Sequence, residues 1–215
     1  MFIIALVLAT LIAVAWSLLG SSLMVVRHVE VTGAGPLVPA ATVRSAAAIP
    51  LRTPLARLDT AAAARRVERL APVLTARVTR SFPDTVVIAV QQRTPVLAVA
   101  VASGYHLIDE YGVTVTSAGS EPPGMPLLIG LPPARGSPAV RAAALVIRDL
   151  PAWLRYRVRS VSATASVTLQ LSGGITVTWG GPGQVAEKAA ELEVLLRTSA
   201  RVINLSDPAT AVTGQ

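Results

Sequence analysis

Val29-Glu30-Val31-Thr32-Gly33 alternates apolar and polar side chains and ends on glycine, which predicts a short strand. The stretch Val38 to Ile49 predicts a helix, with Pro39 tolerated in its first turn and Pro50 stopping it. Asp59 is a favourable N-cap for a second helix, Thr60 to Leu70, whose Ala63, Val67 and Leu70 fall on one face. Two runs rich in β-branched residues follow, Val73 to Thr79 and Thr85 to Val90. Between them Pro83-Asp84 supplies a preset φ and a short carboxylate able to bond nearby backbone, so the pair reads as a hairpin. The order strand, helix, helix, strand, strand predicts a three-stranded sheet covered on one face by two helices.

Beyond Pro95 the pattern changes to short strands separated by turns. Strands are expected at Val96 to Val101, Tyr105 to Ile108, Val113 to Thr116 and Leu127 to Ile129, with Asp109-Glu110-Tyr111-Gly112 as a turn. Ala139 to Leu150 predicts a helix halted by Pro151. Arg157 to Ala163, Val167 to Leu171 and Ile175 to Trp179 read as antiparallel strands, the last two joined through Ser172-Gly173-Gly174. Gln184 to Arg197 is amphipathic, with Val185, Ala189, Leu192, Leu195 and Leu196 on one face and Glu187, Lys188, Glu191 and Glu193 largely off it. Arg201 to Leu205 is a last strand, and the chain from Pro208 onward reads as frayed. The fold class is α+β.

The first 26 residues contain no charged side chain, and Phe2 to Leu19 is almost wholly apolar. As a helix, 26 residues extend ~39 Å, while a bilayer core of ~30 Å requires only ~20 residues, so Phe2 to Val26 reads as a single membrane span. The length of the run and the lack of a basic leading segment disfavour a cleaved signal peptide. Local charge places the bulk of the chain awkwardly: the first basic residue, Arg27, lies after the run.

The net charge is +7, from 19 basic and 12 acidic residues, and the only lysine is Lys188. Arginines are scattered, and aromatic residues make up 4% of the chain, so the interleaving expected of a nucleic-acid surface is missing. Attraction to anionic lipid headgroups or acidic wall polymers fits the charge better. Zero cysteines exclude a disulfide framework and thiolate chemistry.

Candidate chemistry is sparse. His28 and His106 have no ligand-like spacing, and the neighbouring acids Asp109 and Glu110 sit in a turn. Gly33-Ala34-Gly35 is too short for a phosphate-binding fingerprint, and no Ser-x-x-Lys or Gly-x-Ser-x-Gly occurs. No cofactor, metal site, nucleic acid or small-molecule substrate is expected, and an enzyme is disfavoured. Sheet edges remain, since their unpaired backbone groups can accept a partner strand whatever the side chains are.

Several motifs occur in a telling order. The apolar run is followed by Val29-Glu30-Val31-Thr32-Gly33, by Thr53-Pro54-Leu55 with Leu58-Asp59, and by Arg77-Val78-Thr79-Arg80-Ser81-Phe82-Pro83-Asp84-Thr85-Val86. Arg93-Thr94-Pro95 and Leu107-Ile108-Asp109-Glu110-Tyr111-Gly112 come after. From residue 2 to about 208 this set resembles the FtsQ/DivIB family of bacterial cell-division proteins. The Ala/Arg-rich style and the ending Asn204-Leu205-Ser206-Asp207-Pro208 resemble its actinobacterial members.

The resemblance implies a transmembrane helix over 1–26, a POTRA domain (βααββ) over 27–93, a mostly antiparallel β domain with two helices over 94–206, and a frayed tail over 207–215. It further implies a non-enzymatic single-pass scaffold at the division septum, its bulk outside the cytoplasmic membrane, that helps control septal peptidoglycan synthesis. Implied partners are FtsB- and FtsL-like bitopic proteins, with an FtsW/FtsI-like septal synthase, besides membrane lipid. Partner contacts carry over to a C-terminal edge at Val202, Ile203, Asn204, Leu205, Ser206, Asp207, Ala211 and Val212. A POTRA edge is expected at Thr85, Val86, Val87 and Ile88. Three departures stand out: Gln92 replaces an acid common in the exit motif, Asn204 stands where aspartate is common, and no basic flank precedes the apolar run. Two other classes fit less well: a POTRA-bearing protein that handles polypeptides for secretion, and a membrane-anchored cell-wall enzyme.

Overall fold

The computed structural model describes residues 3–10, 24–130, 137–206 and 212–214. Residues 3–10 are helical (α1), and no helix among the described residues is long and apolar enough to cross a membrane. Phe2 and residues 11–23 of the expected span, Phe2 to Val26, lie outside the described residues. The folded chain divides into two compact units, Met1–Arg93 and Thr94–Gln215.

The first unit contains β1 (His28–Thr32), α2 (Ala40–Ala47), a short 3-10 turn (Leu55–Arg57), α3 (Thr60–Glu68), β2 (Val73–Ser81) and β3 (Thr85–Gln92). The Asp59 carboxylate accepts the Ala62 N–H at 2.8 Å, which fixes the start of α3. Helix α2 ends where Ala48 turns left-handed (φ 46), and Arg66 from α3 donates to the freed Ala47 carbonyl at 2.6 and 2.9 Å. Val43, Ala47, Ala63 and Val67 from the helices pack on Val86 and Ile88 from the sheet. Val26 is fully buried in this same core, so the folded unit takes in the last residues of the apolar run.

The strand order is β1-β3-β2, with β1 parallel and β2 antiparallel to β3. This corrects the expected POTRA edge. Thr85, Val86, Val87 and Ile88 lie on the central strand, paired with His28 to Val31 on one side and with Ser81 to Val78 on the other. Their backbone groups are used within the unit. The outer strands carry partial side-chain covers: Arg44 donates to the Val29 carbonyl at 3.2 Å, and Glu68 accepts the Ala76 N–H at 3.1 Å.

The second unit is built on one nine-stranded sheet in the order β12-β11-β10-β9-β8-β7-β4-β5-β6. Its strands are β4 (Leu97–Val101), β5 (Gly104–Ile108), β6 (Thr114–Ala118), β7 (Leu127–Ile129), β8 (Val158–Ala163), β9 (Val167–Leu171), β10 (Ile175–Gly180), β11 (Val202–Asn204) and β12 (Val212–Gly214). Pairs β4–β7, β7–β8 and β10–β11 are parallel and the rest antiparallel. Among the described residues three helices accompany it rather than two: α4 (Pro138–Asp149), α5 (Ala152–Arg155) and α6 (Val185–Leu195). The extra one, α5, is a single turn after Pro151, too short to show a period. Ser137 caps α4 by accepting the Val140 N–H. Val167, Leu169 and Leu171 alternate into the core with Ile147, Leu150, Leu154 and Leu192, while Thr168 and Gln170 are half-buried between them.

A second correction concerns the tail. Residues 207–215 do not run out frayed throughout, because Val212–Gly214 forms β12, antiparallel to β11.

Candidate functional site

The C-terminal edge is assembled from β10, β11 and β12. Gly173 and Gly174 both take positive φ (89° and 75°) in the short loop Ser172-Gly173-Gly174 between the paired Leu171 and Ile175, and so return the chain from β9 into β10. Helix α6 then carries the chain back so that β11 enters parallel to β10, in the register Thr176↔Val202, Val177↔Ile203, Thr178↔Asn204. Thr176 donates to the Arg201 carbonyl at 2.8 Å, and Leu205 donates to the Thr178 carbonyl at 2.8 Å. In a parallel ladder alternate residues face the same neighbour, so residues 201, 203 and 205 spend their backbone groups on β10. Val202 and Asn204 therefore face the other way, toward β12.

That side is occupied. β12 pairs as Val202↔Gly214, Ile203↔Thr213 and Asn204↔Val212. The expected edge at Val202, Ile203 and Asn204 is thus an inner strand, and the outer one is β12. By the antiparallel alternation, Val212 and Gly214 bond to β11, and Thr213 directs its N–H and C=O outward. Ile203 and Leu205 are fully buried core residues, and Val202 is exposed. The Asn204 side chain is committed locally: its Oδ1 accepts the Ser206 N–H at 3.0 Å and the Ser206 hydroxyl at 2.7 Å. The other two expected contact residues, Asp207 and Ala211, lie outside the described residues.

Behind the edge sits a tightly fixed joint. Gly180 ends β10 at φ 82, and a Cβ there would come within 2.8 Å of the Ser206 Cα. Only glycine satisfies both conditions without moving the strand end. Trp179, fully buried, fills the space beneath, and among the described residues its indole N–H has no acceptor. Lys188 was expected off the apolar face of α6, but it is buried, with Nζ donating to the Trp179 carbonyl at 2.7 Å and lying 5.9 Å from the centre of the indole ring. Its spacing explains this, since Val185, Lys188, Ala189 and Leu192 follow i, i+3, i+4, i+7. The long stem packs inward and carries the ammonium with it.

Burial pushes the Lys188 ammonium below the ordinary lysine range. An unfolded lysine titrates near pH ~10.4. The folded state therefore binds this proton less tightly than the unfolded chain does. Stability should rise with pH from the depressed folded value up to about pH 10.4, and the destabilisation should be constant below that window. Denaturant midpoints measured between pH 8 and 10.5 should show this rise, and Lys188→Met should flatten it relative to the parent.

The acid pair behaves as a turn. Buried Asp109 accepts the Tyr111 and Val113 N–H groups at 3.0 and 2.8 Å. Glu110 pairs instead with Arg148 of α4, which also grips Asp149 through two bonds of 2.7 and 2.8 Å and holds that carboxyl below its usual range. Among the described residues no group of three or more His, Asp or Glu is placed to hold a metal ion.

Residues 24–93 match the model for the POTRA domain, FtsQ-type, and residues 98–210 match that for the Cell division protein FtsQ/DivIB, C-terminal domain. The chain belongs to the FtsQ/DivIB family. A Cell division protein FtsQ from Mycobacteroides abscessus is 39% identical over 206 residues, covering 94% of this chain and 66% of its own length. Relatives of the same name from Streptomyces bingchenggensis and Streptomyces collinus are 38% and 34% identical, over 86% and 90% of this chain and 73% and 79% of theirs. The chain thus spans a little under two thirds of the Mycobacteroides abscessus relative and 61% of one from Mycolicibacterium smegmatis. Within the family frame, the first unit corresponds to the FtsQ-type POTRA domain and the nine-stranded unit to the FtsQ/DivIB C-terminal domain.

Proposed function

We propose that this FtsQ/DivIB family member is a non-enzymatic, single-pass scaffold of the bacterial divisome. It binds FtsB- and FtsL-like bitopic proteins by strand addition and so helps control septal peptidoglycan synthesis by an FtsW/FtsI-like synthase. Its bulk lies outside the cytoplasmic membrane at the septum, anchored by the apolar run from Phe2, whose last residues, Met24 to Val26, belong to the folded unit instead. The observation that carries this reading is the outer strand β12, whose Thr213 backbone groups point away from the sheet. Strand addition there uses main-chain hydrogen bonds, which accounts for a contact surface without distinctive side chains.

In cells, a fluorescent fusion of the full chain should concentrate at mid-cell, and an FtsB-like protein should co-purify with it. A uniform membrane distribution together with no recovered partner would reject the proposal. The same purified chain should release no fragments from peptidoglycan; release abolished by Asp109→Asn or Glu110→Gln would favour a cell-wall enzyme instead.

A further inference from the structure

The hairpin turn that marks the sequence so clearly leaves one side chain unexplained. Phe82 is 55% exposed, and Leu51 is 63% exposed. In the folded part of the first unit these are the two most exposed large apolar residues. They sit on separate loops, yet both loops are bonded to the same short segment. Arg52 donates to the Val26 carbonyl at 2.8 Å, and Val26 donates to the Thr53 carbonyl at 2.9 Å. Arg27 and His28 donate to the Asp84 carbonyl at 2.8 and 3.2 Å. Leu51 and Phe82 therefore flank the point where the charge-free run of residues 1–26 enters the folded unit.

Arg52, next to the exposed Leu51, holds a left-handed backbone (φ 64), a conformation unfavourable for a non-glycine residue. Arg27 and Arg52 are exposed beside the two apolar side chains. Asp84, in the hairpin loop beside Phe82, is half-buried, accepts the Thr85 hydroxyl at 3.0 Å and lies 4.0 Å from His28. Exposed apolar side chains on loops that also carry exposed Arg27 and Arg52 suit the boundary between acyl chains and lipid phosphates.

We infer that this end of the POTRA unit rests on the bilayer, with Leu51 and Phe82 entering the headgroup region and Arg27 and Arg52 meeting lipid phosphates. The occupant is a lipid surface because the loops are tied to the residues that follow the apolar run. The inference rests on the reading of that run as a membrane span.

The chain has no cysteine, so single labels can be placed cleanly. Full-length Leu51→Cys, Phe82→Cys, Ala71→Cys and Val7→Cys, each carrying an environment-sensitive dye, would be reconstituted in phosphatidylcholine/phosphatidylglycerol vesicles. Ala71 is exposed just before β2, at the other end of a nine-residue strand, roughly 25 Å away. Dyes at 51 and 82 should be quenched by lipid-borne spin labels and should be at least about threefold less sensitive to iodide than the dye at 71. Equal iodide sensitivity at 51, 82 and 71, with the dye at 7 still quenched from the lipid, overturns the inference and leaves the span intact. No lipid quenching at 7 overturns the span itself, and this inference with it.

Discussion

Thr213→Pro is expected to weaken binding of an FtsB-like partner at least about tenfold, or ~1.4 kcal/mol, while hardly changing the thermal midpoint of the nine-stranded unit. The argument is one of hydrogen-bond direction. Val202 and Asn204 face β12, so Val212 and Gly214 supply the bonds that hold β12 in place, and Thr213, opposite Ile203, points its N–H outward. Proline there removes a donor that the fold does not use and puts a ring where an added strand must lie. Proline at Ile203 serves as the contrast. That residue is fully buried and its backbone is bonded to β10, so the change should unfold the unit rather than blunt its edge. Titration calorimetry with a partner peptide, beside thermal melts of each variant, separates the two. Unchanged affinity for Thr213→Pro would remove β12 as the docking strand.

Trp179→Ala should cost the same unit about 3–5 kcal/mol, which for a unit of this size corresponds to a fall in melting temperature of about 10 °C or more. Trp179 is fully buried in the core that β10 shares with α6 and β11, so its removal leaves a large cavity there. Against a typical total of about 5–15 kcal/mol, the loss leaves little margin. Trp179→Phe should recover most of it, because the ring remains and the buried indole N–H without an acceptor is removed. Differential scanning calorimetry of the three proteins gives the comparison. A melting temperature for the alanine variant within a degree or two of the parent would mean the joint is not packed as described.

Most individual elements were legible because alternation and helical spacing are local. β7 and β9 fall where the pattern places them, and the Asp59 cap bonds as its position suggests. What was not legible is mostly pairing. The hairpin reveals that β2 and β3 are neighbours, but nothing local tells on which side β1 inserts, and its parallel union with β3 turned a supposed edge into a centre. At the C-terminal edge Val212, one of the expected residues, lies on the outer strand, but Val202 to Asn204 lie one strand further in, for a related reason. Val202 to Asn204 looked terminal because Val212–Gly214 is too short to register as a strand, yet those three residues cap the sheet. Lys188 was misplaced by residue type alone, although its spacing with Val185 and Leu192 already put it on the inner face.

The burial of that residue has a practical side. With Lys188 as the only lysine and its amine bonded inside the fold, reagents that acylate side-chain amines will find nothing to react with while α6 stays docked on β10. Crosslinkers of that chemistry would then form no bridge through a side chain of this protein, however many neighbours it has. Slow acylation at this one position would instead time how often α6 lifts away, a clock for local opening just behind the docking strand.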